Sequence, residues 1–361
     1  MKRAKLMIRR ALIIGPGVPL ALAAAALFGA STPLAKLLLG EMAPWLLAGL
    51  LYLGSGVGLA CVAALRAATG VAPAEAPLRR ADLPWLGAAV IAGGVIAPVL
   101  LLLGLAQSAA AATALLLNLE GLFTLLIAWL AFREHVDRRI VLGAGAILGG
   151  AAVLSWQPGV GAGIGPGALA VAGACLFWAI DNNLTRRLAA ADPLQIAAAK
   201  GLVAGSINLA LALLQGAPWP AAGATLLAGV VGLGGFGVSL VLFVLALRHL
   251  GTARTTGYFS TAPFIGALLA VALLGEPLTA TLLVGAALMA VGLWLHLAER
   301  HAHQHAHAPL SHEHRHVHDV HHRHGHRPLD PAGEPHTHAH EHTRLVHAHP
   351  HYPDLHHRHE H

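Results

Sequence analysis

Charge is what this chain has least of: Asp, Glu, Lys and Arg make up 11% of its 361 residues, while 56% are hydrophobic. That balance, with a mean hydropathy of +0.64, excludes a soluble domain of ordinary composition. Cysteine is nearly missing as well. Cys61 and Cys175 sit inside apolar runs without the close spacing of a metal or redox motif, so both read as small hydrophobes packed between helices. No Gly-x-Ser-x-Gly elbow, phosphate loop or His-Glu-x-x-His motif occurs, which argues against an enzyme and against a nucleotide-driven pump.

Lysine and arginine are also absent from one set of loops, those around Glu41, Gln107, Gly161, Pro218 and Glu276. The alternate segments hold Lys2, Arg3, Lys5, Arg9 and Arg10, then Arg66, Arg79 and Arg80, then Arg133, Arg138 and Arg139, then Arg186 and Arg187, then Arg248 and Arg254, and finally Arg300. Positive charge gathers on the cytoplasmic side of membrane proteins, so both termini are expected there. The same distribution accounts for the formal charge of +6 without nucleic acid as a partner.

What the chain has in abundance is long apolar runs. Ten spans are expected, at roughly 17 to 38, 43 to 65, 84 to 105, 110 to 132, 139 to 156, 166 to 188, 194 to 214, 222 to 247, 254 to 274 and 278 to 297. The opening MKRAKLMIRR and its apolar sequel resemble a signal peptide, but Pro33 and Lys36 lead on without a convincing cleavage site, so the first span is read as retained. Prolines mark helix starts at Pro44, Pro84 and Pro193. Pro33, Pro98 and Pro263 instead fall inside spans one, three and nine, where each frees carbonyls that need another partner.

The spans repeat. A shift of 142 residues lays Gly87 on Gly229, Gly93 on Gly235, Thr113 on Thr255, Glu134 on Glu276, Gly143 on Gly285 and Gly150 on Gly292. A shift of 149 lays Leu27-Phe28 on Leu176-Phe177, Pro44 on Pro193 and Gly56 on Gly205. The difference fits a longer loop around Ala67 to Asp82. Five spans per half, an odd number, forces the halves into opposite orientations, an arrangement transporters use to expose a central site to each side in turn.

These halves, Leu27-Phe28-Gly29 with Pro33 in span one, and the closings Phe132-Arg133-Glu134 and Leu274-Gly275-Glu276-Pro277 resemble the EamA family of the drug/metabolite transporter superfamily. The resemblance covers about residues 17 to 298. It implies a ten-span, inverted-repeat secondary transporter, often an exporter of amino acids, metabolites or drugs. Span nine keeps a proline, Pro263, that such repeats often carry, whereas span four has Glu120-Gly121 at the matching place.

Within the spans the charged residues are Lys36, Glu120, Asp181 and Lys200. An ionised carboxylate near a span's centre costs about 2.5 to 3.5 kcal/mol, so such acids are met by a partner, water or a proton, and commonly mark ion or proton pathways. Two pairs are expected: Lys36 with Glu120, and Asp181 with Lys200. Thr113, Glu120 and Thr124 form one inward-facing stripe of a helix, and Trp178, Asp181 and Thr185 another. Candidate pathway residues are thus Lys36, Asn118, Glu120, Asp181, Asn182, Lys200 and Tyr258, the last in a polar start to span nine that also holds Thr255, Thr256, Ser260 and Thr261. Asn118 and Asn208 also suit plain hydrogen bonding between helices.

After Arg300 the composition changes: 23 of the 26 histidines lie between His301 and His361. With too little apolar material for a core, this tail is expected to be disordered by itself. Neutral imidazole binds zinc, nickel, copper and cobalt, and the candidate ligands are His301, His303, His305, His307, His312, His314, His316, His318, His321, His322, His324, His326, His336, His338, His340 and His342. The spans hold no such cluster, since His135, His249 and His296 fall at membrane edges.

The sequence thus describes an all-α integral membrane protein of the cytoplasmic (inner) membrane: a segment 1–16, five-helix repeats at 17–157 and 166–298, and a His-rich tail at 299–361. The expected function is secondary transport, as an exporter, of a small metabolite, amino acid or drug-like solute. Proton coupling is open, no cofactor serves transport, and a divalent transition metal (Zn, Ni, Co or Cu) is bound by the tail. Alternatives are a Ni, Co or Zn exporter and a membrane-anchored metal sensor or storage protein. Its partners are the lipid bilayer and the solute, with a homodimer left open.

Overall fold

The computed structural model describes residues 17–70, 78–132, 138–156, 164–185, 188, 191–250 and 252–297 and, in the tail, 302–307, 310–316, 336–342 and 345–350. Ten of its helices are long and apolar enough to cross a membrane: Gly17–Leu38, Pro44–Ala68, Arg80–Gln107, Ala110–Ile127, Arg138–Ser155, Pro166–Thr185, Pro193–Leu214, Ala222–Ala246, Thr255–Leu274 and Ala280–Leu297. They are spans one to ten below. Proline opens spans two, six and seven, and Asp192 caps span seven by accepting from the Leu194 N–H at 2.9 Å. Gly275 ends span nine at φ 67°, the left-handed conformation that closes a helix with least strain in glycine. Large apolar side chains such as Leu214, Leu226, Leu268 and Trp294 are exposed on the helix bundle, as a lipid-facing surface requires.

The duplication read from the sequence reappears in the packing. Span two packs on seven, four on nine and five on ten; three on six is answered by eight on one, six on four by one on nine, and three on seven by eight on two. Adding five to a span number therefore maps these principal contacts onto themselves. Glycines make the closest approaches. A methyl at Gly143 would press on the Gly292 carbonyl and one at Gly150 on the Gly285 carbonyl, and these are the residues that the 142-residue shift exchanges. Such reciprocity is the mark of a two-fold relation between halves, with small residues letting backbones touch.

Irregular backbone also repeats. Span three contains a π-helical turn at Val90–Ile96 and span eight one at Leu233–Val238, superimposed by the same shift. Span four is split into Ala110–Leu116 and Asn118–Phe132 by a turn at Leu117, and span nine into Thr252–Phe259 and Ala262–Leu274 by a turn at Ser260 and Thr261. Pro263 accompanies the second break, whereas the first has no proline. Pro98 directly follows the span-three π turn, and Pro33 sits within a continuous helix.

Strands β1 (Ala302–His307), β2 (Leu310–His316), β3 (His336–His342) and β4 (Leu345–Pro350) pair as two antiparallel ladders, β1 with β4 and β2 with β3. The His-x-His alternation of these segments has the period of a strand. His301, His318, His321, His322, His324 and His326 lie outside the described residues.

Candidate functional site

The site grows from the π turn of span three. Widening a helix to i→i+5 bonding leaves carbonyls without their usual donors, and Gly93-Gly94 has no side chain to shield them. Three side chains from other spans reach in. Tyr52 Oη and Trp178 Nε1 donate to the Gly93 carbonyl at 2.7 and 3.0 Å, and Asn208 Nδ2 donates to that of Gly94 at 2.9 Å. Asn208 is fully buried, and among the described residues its Oδ1 has no hydrogen-bond partner, nor has the buried Thr113 Oγ1.

Against the same glycine lies the expected ion pair. Lys200 Nζ donates to both Asp181 carboxylate oxygens at 2.6 and 2.5 Å, and Thr185 Oγ1 donates to Oδ1 at 2.9 Å. Asp181 is buried, and the pair is bidentate and hydrogen-bonded, which a charge removed from water requires. A Cβ at Gly93 would overlap Asp181 Oδ2, so only glycine admits the carboxylate at this depth. The predicted face of Trp178, Asp181 and Thr185 is therefore real, and it faces span three.

Glu120 stands in the first turn of the second half of span four, where the helix dipole favours an acid. Among the described residues its partner is an amide and not a cation: Asn182 Nδ2 donates to Oε1 at 2.9 Å and lies 3.4 Å from Thr124 Oγ1. The break that creates this turn is sealed locally. Asn118 Nδ2 donates to the Leu115 carbonyl at 2.8 Å and Cys175 Sγ to that of Leu116 at 3.6 Å. Thr113 belongs to the other half-helix, so the expected single stripe is divided at Leu117.

The expected Lys36–Glu120 pair is not formed. Lys36 Nζ instead donates to the carbonyls of Leu105 and Ser108, at 2.5 and 2.9 Å, at the end of span three. Glu276 accepts from the backbone N–H groups of Ala110 and Ala111, at 2.6 and 2.8 Å, at the start of span four. A cation on a helix C-terminus and an anion on an N-terminus both satisfy orphan groups and complement the dipoles. That use outcompetes pairing across the bundle. Lys36→Met should lower the thermal stability of purified protein by about 1 to 3 kcal/mol by stranding these carbonyls, with Lys36→Arg recovering most of it; an unchanged melting temperature for Lys36→Met would rule the clamp out.

Beside the π-turn bonds is a small cavity whose walls include Ser31, Thr32, Leu51, Tyr52, Trp178 and Phe236. The 149-residue shift that relates the halves places Thr32 on Asp181 and Leu51 on Lys200. One half thus fills this position with an ion pair and the other leaves a cavity there. Tyr258 is exposed and does not line this cavity. The polar start of span nine has another cause, since Ser260 Oγ and Thr261 Oγ1 fold back on the Thr256 and Tyr258 carbonyls at 2.8 and 2.6 Å. Among the described residues no group of three or more His, Cys, Asp or Glu is placed to hold a metal ion. Sequence reasoning missed Tyr52; Gly93 was visible only as a repeat match, and Glu276 only as a repeat match and part of the closing of span nine.

Ten apolar spans in two interlocking halves, broken or π-helical at matched depths around buried charges, define a multi-pass membrane transporter for a small solute. The EamA-like transporter family matches residues 15–156 and 165–298, and the chain belongs to that family. An uncharacterized transporter of Methanothermobacter thermautotrophicus is 28% identical over 282 residues, covering 74% of this chain and 82% of that protein. A solved crystal structure shares the fold with a TM-score of 0.57 at 21% identity, over 78% of this chain and 96% of that one.

Proposed function

We propose that this transporter exports a small organic solute, a metabolite, amino acid or drug-like molecule, across the cytoplasmic membrane, with both termini cytoplasmic and with proton exchange at Glu120 and Asp181. The observation that carries the reading is the neighbouring placement of a carboxylate held by an amide, Glu120 on Asn182, and one held by an ammonium, Asp181 on Lys200, on consecutive residues of span six. A proton arriving at Asp181 weakens its hold on Lys200, and one arriving at Glu120 removes a charge that costs energy within the membrane. Tyr52 and Trp178 hold the π turn against which Asp181 rests and also wall the small cavity beside it, so a change of charge at Asp181 is felt there. The His-rich tail binds a divalent transition metal.

Reconstitution into vesicles tests this. A proton gradient should drive uptake of one member of a panel of amino acids and metabolites, and Glu120→Gln should flatten the dependence of rate on pH. Wild-type pH dependence in both Glu120→Gln and Asp181→Asn would refute proton coupling. Flux of nickel, cobalt or zinc in place of any organic solute would favour the metal-export alternative.

A further inference from the structure

The contact of span four with span six is the counterpart, in the other half, of the contact of span nine with span one, yet its residues differ. The 142- and 149-residue shifts lay Glu120 on Ala262, Thr124 on Gly266 and Asn182 on Pro33. Between spans nine and one the contact is closed: a methyl on Gly266 would press on the Gly29 carbonyl, and one on Gly29 on the Ala262 carbonyl. Between spans four and six, three polar side chains replace that close approach. The packing of the repeat does not require them, and within a membrane polar groups are costly.

The three form one set. Glu120 and Thr124 lie four residues apart on one helix face, and Asn182 Nδ2 donates to Glu120 Oε1 at 2.9 Å and reaches Thr124 Oγ1 at 3.4 Å. No cation among the described residues answers this carboxylate, because Lys200 is held by both oxygens of Asp181. That neighbouring pair is neutral as a unit, so Glu120 leaves the cluster one net negative charge. Asn182 is exposed, and so is Gly121 beside Glu120, with nothing within 4 Å of a carbon added to it. Polar groups exposed at this depth face a water-filled space and not lipid, since hydrocarbon would leave them without partners.

We propose that Glu120, Thr124 and Asn182 bind a protonated amine, so that the exported solutes are organic amines and not organic acids. An ammonium has three donors and no acceptor. The Glu120 carboxylate, the Thr124 hydroxyl and the Asn182 amide oxygen supply acceptors of three kinds beside the open space at Gly121. An organic acid would instead set a second negative charge against Glu120. Ammonium and proton are alternatives at one carboxylate: an amine that binds from the cytoplasm releases the Glu120 proton there, and one positive charge replaces another.

This rests on the reading of Glu120 as a proton-exchange group, and the test separates the two. The full chain in detergent is titrated with three probes of one shape: 2-phenylethylammonium, the neutral 2-phenylethanol and the anionic 3-phenylpropionate. Native protein should prefer the ammonium, and its affinity for it should fall as the pH is lowered. Glu120→Gln should bind the ammonium about ten- to a hundredfold more weakly, as loss of a charged hydrogen-bond partner entails, and without dependence on pH. A native protein with no preference among the probes, whether it binds all or none, would overturn the amine site even if the variant failed to fold. Undiminished ammonium preference in folded Glu120→Gln would overturn it too, and proton-driven flux of another solute in vesicles would then leave proton exchange standing. An ammonium preference that needs Glu120 but ignores pH would uphold the amine site and overturn proton exchange at Glu120.

Discussion

Lys200→Met will abolish transport and destabilise the protein by about 3 to 5 kcal/mol, the usual consequence of stranding one member of a buried ion pair. The magnitude follows from the surroundings. Asp181 lies at the bottom of the contact with Gly93, its side chain 7% exposed, and Lys200 supplies both of its short bonds. Remove the ammonium and, among the described residues, only the Thr185 hydroxyl remains to solvate the carboxylate. The double variant Asp181→Asn with Lys200→Met removes both charges and should recover most of the melting temperature, because neutralised pairs are often no less stable than charged ones. It should not recover proton-driven flux. Full proton-driven flux in the double variant would show that the pair only fixes the register of spans six and seven. Thermal melts in detergent and uptake in vesicles separate these outcomes.

Legibility in the sequence followed how locally each feature is encoded. The spans were visible because apolar length is a local property, and the two-fold was visible because Gly143, Gly150, Gly285 and Gly292 are the positions where helices touch. The Asp181–Lys200 pair could be read because both residues lie at the same depth on consecutive spans. Lys36 was misassigned because opposite charge is a poorer guide than depth. Its nearest unsatisfied groups are carbonyls at a helix end, and no side-chain pattern announces a carbonyl. The break in span four was hidden for a related reason: Leu117 has no proline near it, and the donors that stabilise the turn, Asn118 and Cys175, look like ordinary span residues.

Gly93→Ala tests whether the two halves have divided their labour. Equivalent glycines sit in the π turns of spans three and eight, and the repeat alone would give their substitution equal cost. The surroundings do not. A methyl at Gly93 would overlap the Asp181 carboxylate, whereas one at Gly235 would meet the Ser31 side chain at 2.7 Å, and Gly87, earlier in span three, has nothing within 4 Å of its added carbon. Overpacking costs about 1 to 3 kcal/mol, and at Gly93 that cost includes either loosening the Lys200 bonds or shifting the turn held by Tyr52 and Trp178. Gly93→Ala should therefore lose transport by at least the roughly hundredfold that a misplaced site costs. Gly235→Ala should lose less, and Gly87→Ala should match the native protein, or exceed it by about 0.5 to 1 kcal/mol, since alanine favours helix over glycine. Equal losses at Gly93 and Gly235 would mean that the π turns act as symmetric hinges and that the ion pair is incidental. A loss confined to Gly93 would assign the charge-dependent step to the second half, through Asp181 and Lys200, whose places in the first half are taken by the uncharged Thr32 and Leu51.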